Sequence, residues 1–193
     1  MRIYYLLLFI SVLTVSCSKD VMDKTVFIPD ENDNNLPAYT EWGYNSFGAE
    51  YERDYFLVSN KVDPCKIIYN NYHQLQFLLN GTVRDGKSEM TLMFIFPLSK
   101  IVHYSDLILL NNMEIDLASN DCTVKIVLNG YETTLDVLEG KLHFKRTQLL
   151  SIDDEVNRVI LSGTFDLHFL KNNVPSNISN GRFDLGITKI YSY

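Results

Sequence analysis

The sequence predicts an all-β fold, an antiparallel β-sandwich or open barrel, preceded by a signal peptide and a flexible tether. Three observations carry that expectation. After Pro37, apolar and polar residues alternate with a period of two, the spacing at which successive strand side chains leave opposite faces. Turn-forming pairs recur about every 10 to 15 residues, and no stretch of roughly 15 residues carries a helical apolar stripe. Aromatic residues make up 12% of the 193-residue chain, with 12 Tyr and 11 Phe, which suits strands better than helices.

The elements follow in chain order. Met1 and Arg2 precede an uncharged run from Ile3 to Val15. As a helix that run would rise about 20 Å, short of the ~30 Å of a hydrocarbon core. It is therefore expected to be the apolar region of a signal peptide, residues 1–16. Thr14-Val15-Ser16-Cys17 resembles a bacterial lipobox, with a small residue before the cysteine and the polar Ser18-Lys19-Asp20 after it. Cys17 is then the lipidated first residue of the mature chain. Two or more palmitate-type chains would turn marginal membrane binding into stable anchoring. The competing account is an ordinary cleaved secretory signal with an incidental cysteine. Residues 17–39 are expected to form a disordered tether. They hold Asp20, Asp23, Asp30, Glu31, Asp33 and two prolines, with little apolar periodicity apart from Val26-Phe27-Ile28. Such a segment buries too little surface to offset its ordering entropy. Residues 40–193 are expected to be a single β domain.

Within that domain, Arg53 to Ser59 is the expected opening strand. Leu75, Phe77 and Leu79 alternate with polar neighbours, Asp85-Gly86 signals a type I′ turn, and Met90 to Phe96 returns to Pro97. A short helix is expected near Asp106 to Asn112; its extension would make the fold α+β. Val124, Ile126 and Leu128, then Asn129-Gly130, then Tyr131 to Val137 form a second hairpin. Gly140 reads as a third break. Arg158 to Leu170 is the longest strand, with Val159, Leu161, Gly163, Phe165, Leu167 and Phe169 on one face. Phe183, Leu185 and Ile187 mark the last.

Three short patterns carry a resemblance. They are Gly43-Tyr44-Asn45-Ser46-Phe47-Gly48-Ala49, Ile160-Leu161-Ser162-Gly163-Thr164-Phe165 and Gly181-Arg182-Phe183-Asp184. Together with the lipobox they resemble an uncharacterised family of lipoproteins from gut Bacteroidetes. In that family an Asn-Thr-Phe-Gly motif opens a single β domain, and Ser-Gly-Thr-Phe and Gly-Arg-Phe motifs close it; Ser46 replaces the Thr here. The resemblance spans about residues 43 to 190. It implies a fold class and a cell-envelope location, at the outer membrane on either its periplasmic or its surface face. It implies no reaction and no catalytic residue. As elements of structure, the glycines beside aromatics mark a bulge or a close backbone approach.

Seventeen basic residues against 24 acidic ones give a net charge of −7. That charge excludes the phosphate-neutralising surface of a nucleic-acid binder. His73, His103, His143 and His168 are never three to five residues apart, so no metal-ligand spacing occurs, and no cofactor is expected. No nucleophile elbow, phosphate loop or dinucleotide fingerprint is present. The carboxylate pairs Glu114/Asp116 and Glu50/Glu52 would share a strand face, and Glu114/Asp116 is the only handle for a hydrolase. Cys65 and Cys122 are either a disulfide or two separate thiols; spacing does not distinguish these. Trp42, Tyr44, Tyr51 and Tyr55 are the candidate ligand-stacking residues, since aromatic rings bind sugars and anchor protein interfaces. The expected function is a lipid-anchored, non-catalytic binding module for a glycan or an envelope protein. Alternatives are a structural subunit of a fimbrial or adhesin-type assembly, with Gly181 to Tyr193 as an exchangeable strand, and an envelope hydrolase.

Overall fold

Segments with a period of two form strands because only one of their faces can be buried. The computed structural model describes residues 24–59, 62–83, 86–98, 101–152 and 155–192. The expected signal peptide and Cys17 lie outside the described residues. The strands are β1 (Ser46–Tyr51), β2 (Asp54–Val58), β3 (Cys65–Tyr69), β4 (Gln74–Val83), β5 (Ser88–Pro97), β6 (Met113–Asp116), β7 (Thr123–Leu128), β8 (Tyr131–Thr134), β9 (Asp136–Ile152), β10 (Glu155–Lys171), β11 (Val174–Ile187) and β12 (Tyr191–Ser192). Strand accounts for 63% of the described residues and helix for 4%, so the fold is all-β.

The strands make one sheet in the order β6-β9-β10-β11-β1-β2-β4-β5-β7-β8. Neighbours on this path are antiparallel. One edge of β4 is shared: β3 takes Leu75 to Leu79, and β2 takes Gly81 and Thr82. The outer side of β3 receives β12, in parallel, through Ile68 and Tyr69. The sheet is not closed; β6 and β8 are its ends. It nevertheless turns over on itself. Phe77 of β4 lies 5.4 Å from Phe144 of β9 and 5.1 Å from Phe183 of β11, and Phe94 of β5 lies 5.5 Å from Phe165 of β10. These tilted and edge-to-face rings occupy the centre of one continuous apolar core.

Several expectations hold locally. All six apolar-face residues expected in β10, Val159 to Phe169, are buried. β4 and β5 pair from Gln74↔Pro97 to Val83↔Ser88, with Gly86 at φ 77°. Asn129 and Gly130 have φ of 50° and 85°, as a type I′ turn requires. The one helix among the described residues is a 3-10 turn, Tyr104–Leu110, slightly earlier than expected. Asp106 accepts from the Val102 and His103 amides at its start, and Leu107 and Leu110 are buried.

Other features depart from expectation. Gly140 does not break the chain: β9 runs through it for 17 residues. A Cβ there would lie 2.7 Å from Leu167, so the glycine permits close approach of β10. The sheet opens with β1, seven residues earlier than Arg53, and β3 and β6 were not anticipated. Gly181 to Ile187 belongs to β11, an interior strand paired on both sides, leaving only Tyr191–Ser192 as a terminal strand. Residues 24–39, expected as part of a tether, lie against the domain. Pro29 bridges Pro37, and the Asp30 amide donates to the Leu36 carbonyl. Leu36 is fully buried, and Asp30 pairs with Arg182 at 2.6 Å.

Candidate functional site

The first motif segment lies more than a hundred residues before the other two, yet all three form adjacent strands. In β11, Asp184 pairs with Ser46 of β1 and Ser162 of β10; Phe183 pairs with Phe47 and Gly163. The register between β9 and β10 slips at Gly163, where a Cβ would sit 2.1 Å from the His143 carbonyl and 2.5 Å from the Phe183 ring. Only glycine fits there without displacing neighbours. Phe183 thus closes over a bare stretch of backbone, and the motif is a packing device.

Asp184 organises the chain that crosses this belt. Its side chain is buried, and it accepts hydrogen bonds from the Trp42, Gly43 and Tyr44 amides at 3.1, 2.7 and 3.3 Å. The Thr40 hydroxyl donates to it at 2.6 Å, and the Ser162 hydroxyl at 3.1 Å. Five donors on one carboxylate satisfy it fully in a dry setting. Gly43, at φ 73°, allows three successive amides to converge. Beside them, Asn45 adopts a left-handed conformation and accepts from the Gly186 amide. The loop from Thr40 to Asn45 is therefore rigidly held on β10 and β11.

Trp42 stands on that loop with 72% of its surface exposed. It lines a groove of about 470 Å³ with Tyr39, Thr40, Glu41, Arg146, Gln148, Leu150 and Ile160, within the range of ligand-sized clefts. Glu41 accepts from the Tyr39 hydroxyl at 2.9 Å and pairs with Arg146 at 2.7 Å. The Gln148 amide donates to the Glu41 carbonyl, and the Lys145 ammonium lies 4.9 Å from the centre of the Tyr39 ring. Burial, aided by Glu41, pushes the Tyr39 phenol well above its ordinary pKa, so it remains a hydrogen-bond donor. The groove thus offers an open indole face beside a guanidinium, a carboxylate and an amide.

The four aromatics expected to stack ligands are not brought together. Trp42 alone lies on this groove. Tyr44 is half-buried, and its carbonyl accepts from the Val26 amide. Tyr51 is in the core at 5% exposure, its hydroxyl bound by Lys171. Tyr55 donates to Asp33. Arg146 and Gln148 carried no signal in the sequence. They reach Glu41 across more than a hundred residues, because β9 follows β10 in the sheet. A wider groove of about 680 Å³ includes Asp63, Lys66, Lys87, Glu89 and Tyr191. There Lys66 and Lys189 both lie over the Tyr191 ring, at 4.5 and 5.4 Å, so that ring is less open to stacking.

The remaining candidates have structural partners. Glu114 pairs with Lys141 at 2.8 Å, which holds its carboxyl below the usual range, opposite to the shift of a general acid. Asp116 accepts from the Ala118 amide. Glu50 accepts from Asn180, and Glu52 occupies the β1–β2 turn at φ 57°. His103 caps the 3-10 helix; His73 and His168 are exposed. Among the described residues, no group of three or more His, Cys, Asp or Glu could hold a metal ion.

Cys65 and Cys122 are free thiols. Cys65 faces Leu79, then Leu92, then Ile126, which lies four residues past Cys122. Three strand spacings make roughly 14 Å along the sheet, whereas a bridge needs Cα atoms closer than about 7 Å. Burial raises the pKa of both thiols, making them poor nucleophiles. No protein-family profile, curated protein or solved structure matches the chain.

Proposed function

We propose that this chain is a lipid-anchored protein of the cell envelope whose β domain is a non-catalytic glycan-binding module. The observation that carries this reading is Trp42: a solvent-exposed indole on a loop clamped by a buried aspartate. An aromatic face held in advance binds a sugar ring without first losing conformational entropy. Arg146, Glu41 and Gln148 supply the planar polar groups that pair with vicinal hydroxyls. Glu41 is already engaged by Tyr39 and Arg146, which suits recognition better than proton transfer. The lipobox and the resemblance to Bacteroidetes lipoproteins support the envelope location. No described helix is long and apolar enough to cross a membrane; attachment is assigned to Cys17 on the lipobox pattern.

The test uses the chain's single tryptophan. A glycan array identifies oligosaccharides; Trp42 fluorescence follows their titration into the wild type, and calorimetry compares the wild type with Trp42→Ala, which has no tryptophan. Trp42→Ala should weaken binding about ten-fold or more, the equivalent of ~1.4 kcal/mol, without lowering the melting temperature. An array that retains no glycan, or a Trp42→Ala chain that binds unchanged, would overturn the reading. Cys17→Ala should abolish membrane fractionation; persistence would overturn the anchor.

A further inference from the structure

We propose that Val26-Phe27-Ile28 is a membrane-docking ridge, through which the domain rests on the bilayer that holds its anchor. This rests on the lipid-anchored reading of Cys17. The three side chains are 41%, 41% and 40% exposed. They form the longest unbroken run of exposed large apolar residues among the described residues. Single exposed apolar residues are ordinary on a protein surface, but a contiguous run marks a contact. The ridge is held in place. The Val26 amide donates to the Tyr44 carbonyl at 2.8 Å, and the Ala38 amide donates to the Ile28 carbonyl at 2.7 Å. The backbone is therefore hydrogen-bonded while the side chains remain partly uncovered.

Chain length selects the occupant. Val26 follows Cys17 by nine residues, a distance of at most about 30 Å when fully extended. An acylated Cys17 therefore confines the ridge to a thin layer above the lipid. Two or more acyl chains already give stable attachment, so the ridge contributes orientation rather than retention. Residues 39–43, which carry Trp42, lie in sequence between Ala38 and Tyr44, the two residues whose backbones bond the ridge. Docking would thus also set the height of the Trp42 groove above the headgroups.

The experiment inserts the lipidated chain into the outer leaflet of phosphatidylcholine vesicles. Neutral lipid avoids repulsion of an acidic chain. In a Trp42→Phe background, Phe27→Trp makes residue 27 the only fluorophore. Lipids brominated high on their acyl chains should quench it by roughly half, as expected for side chains about 5–10 Å into the headgroup boundary. As a second readout, trypsin cleavage after Lys24 should be about ten-fold faster in vesicle-bound Phe27→Ser/Ile28→Ser than in vesicle-bound wild type. A wild-type chain that fails to float with the vesicles overturns the anchor and the docking together. A chain that floats but shows neither quenching nor protection overturns docking alone. Protection that depends on protein density and not on brominated lipid assigns the ridge to a second copy instead.

Discussion

Asp184 is the residue on which the candidate site depends. Its five donors come from the loop that carries Trp42 and from β10, so removing the carboxylate leaves buried amides without a partner. Asp184→Ala should lower unfolding free energy by at least about 2 kcal/mol in urea titration. The same variant should broaden Trp42 fluorescence, because the loop is released. Nothing in the local pattern of Gly181-Arg182-Phe183-Asp184 announces this role; four of the five donors arrive from more than a hundred residues away in sequence. Cys65 and Cys122 are a second case. Alkylation of the denatured chain without reductant should add two labels beyond Cys17, and addition of none would restore the disulfide. Spacing could not distinguish these outcomes, since strand order decides whether two cysteines meet.

At the scale of elements, the segment from Val26 to Ala38 is the main departure from expectation. Its acidic, proline-bearing composition suggests a tether, yet it is stitched to the domain by polar contacts more than by apolar burial. Asp30 accepts the Asn32 amide and pairs with Arg182; Asp33 accepts the Asn35 amide and the Tyr55 hydroxyl. These contacts hold both carboxyls below the usual range, the backbone amides foremost. The unfolded chain therefore takes up protons at higher pH than the folded one. The stability from these groups is fully present above about pH 4 and is lost as pH falls through the lower folded values. Acid titration followed by circular dichroism should show that decline, and Arg182→Met should make it shallower. The hairpins, by contrast, were legible. Asn129-Gly130 imposes a turn whatever surrounds it, because both residues tolerate positive φ.

For the molecule as a whole, one apolar core joins strands from both halves of the sheet. Phe77, Phe144 and Phe183 come from three non-neighbouring strands and meet at its centre. Thermal unfolding should accordingly be a single transition, with circular dichroism and Trp42 fluorescence coincident. A separate early loss of the fluorescence change would mean that the loop and core unfold independently. The sequence by itself determined the all-β class, the two Gly-containing hairpin turns and the buried face of β10. Each depends on neighbours within a few residues, where backbone sterics and a period of two act directly. Only the tertiary structure decided that the three motifs lie side by side, that the cysteines stay apart, and that Trp42 shares a groove with Arg146 and Gln148. Those outcomes depend on sheet order and register, which arise from burial across the whole chain rather than from any local pattern.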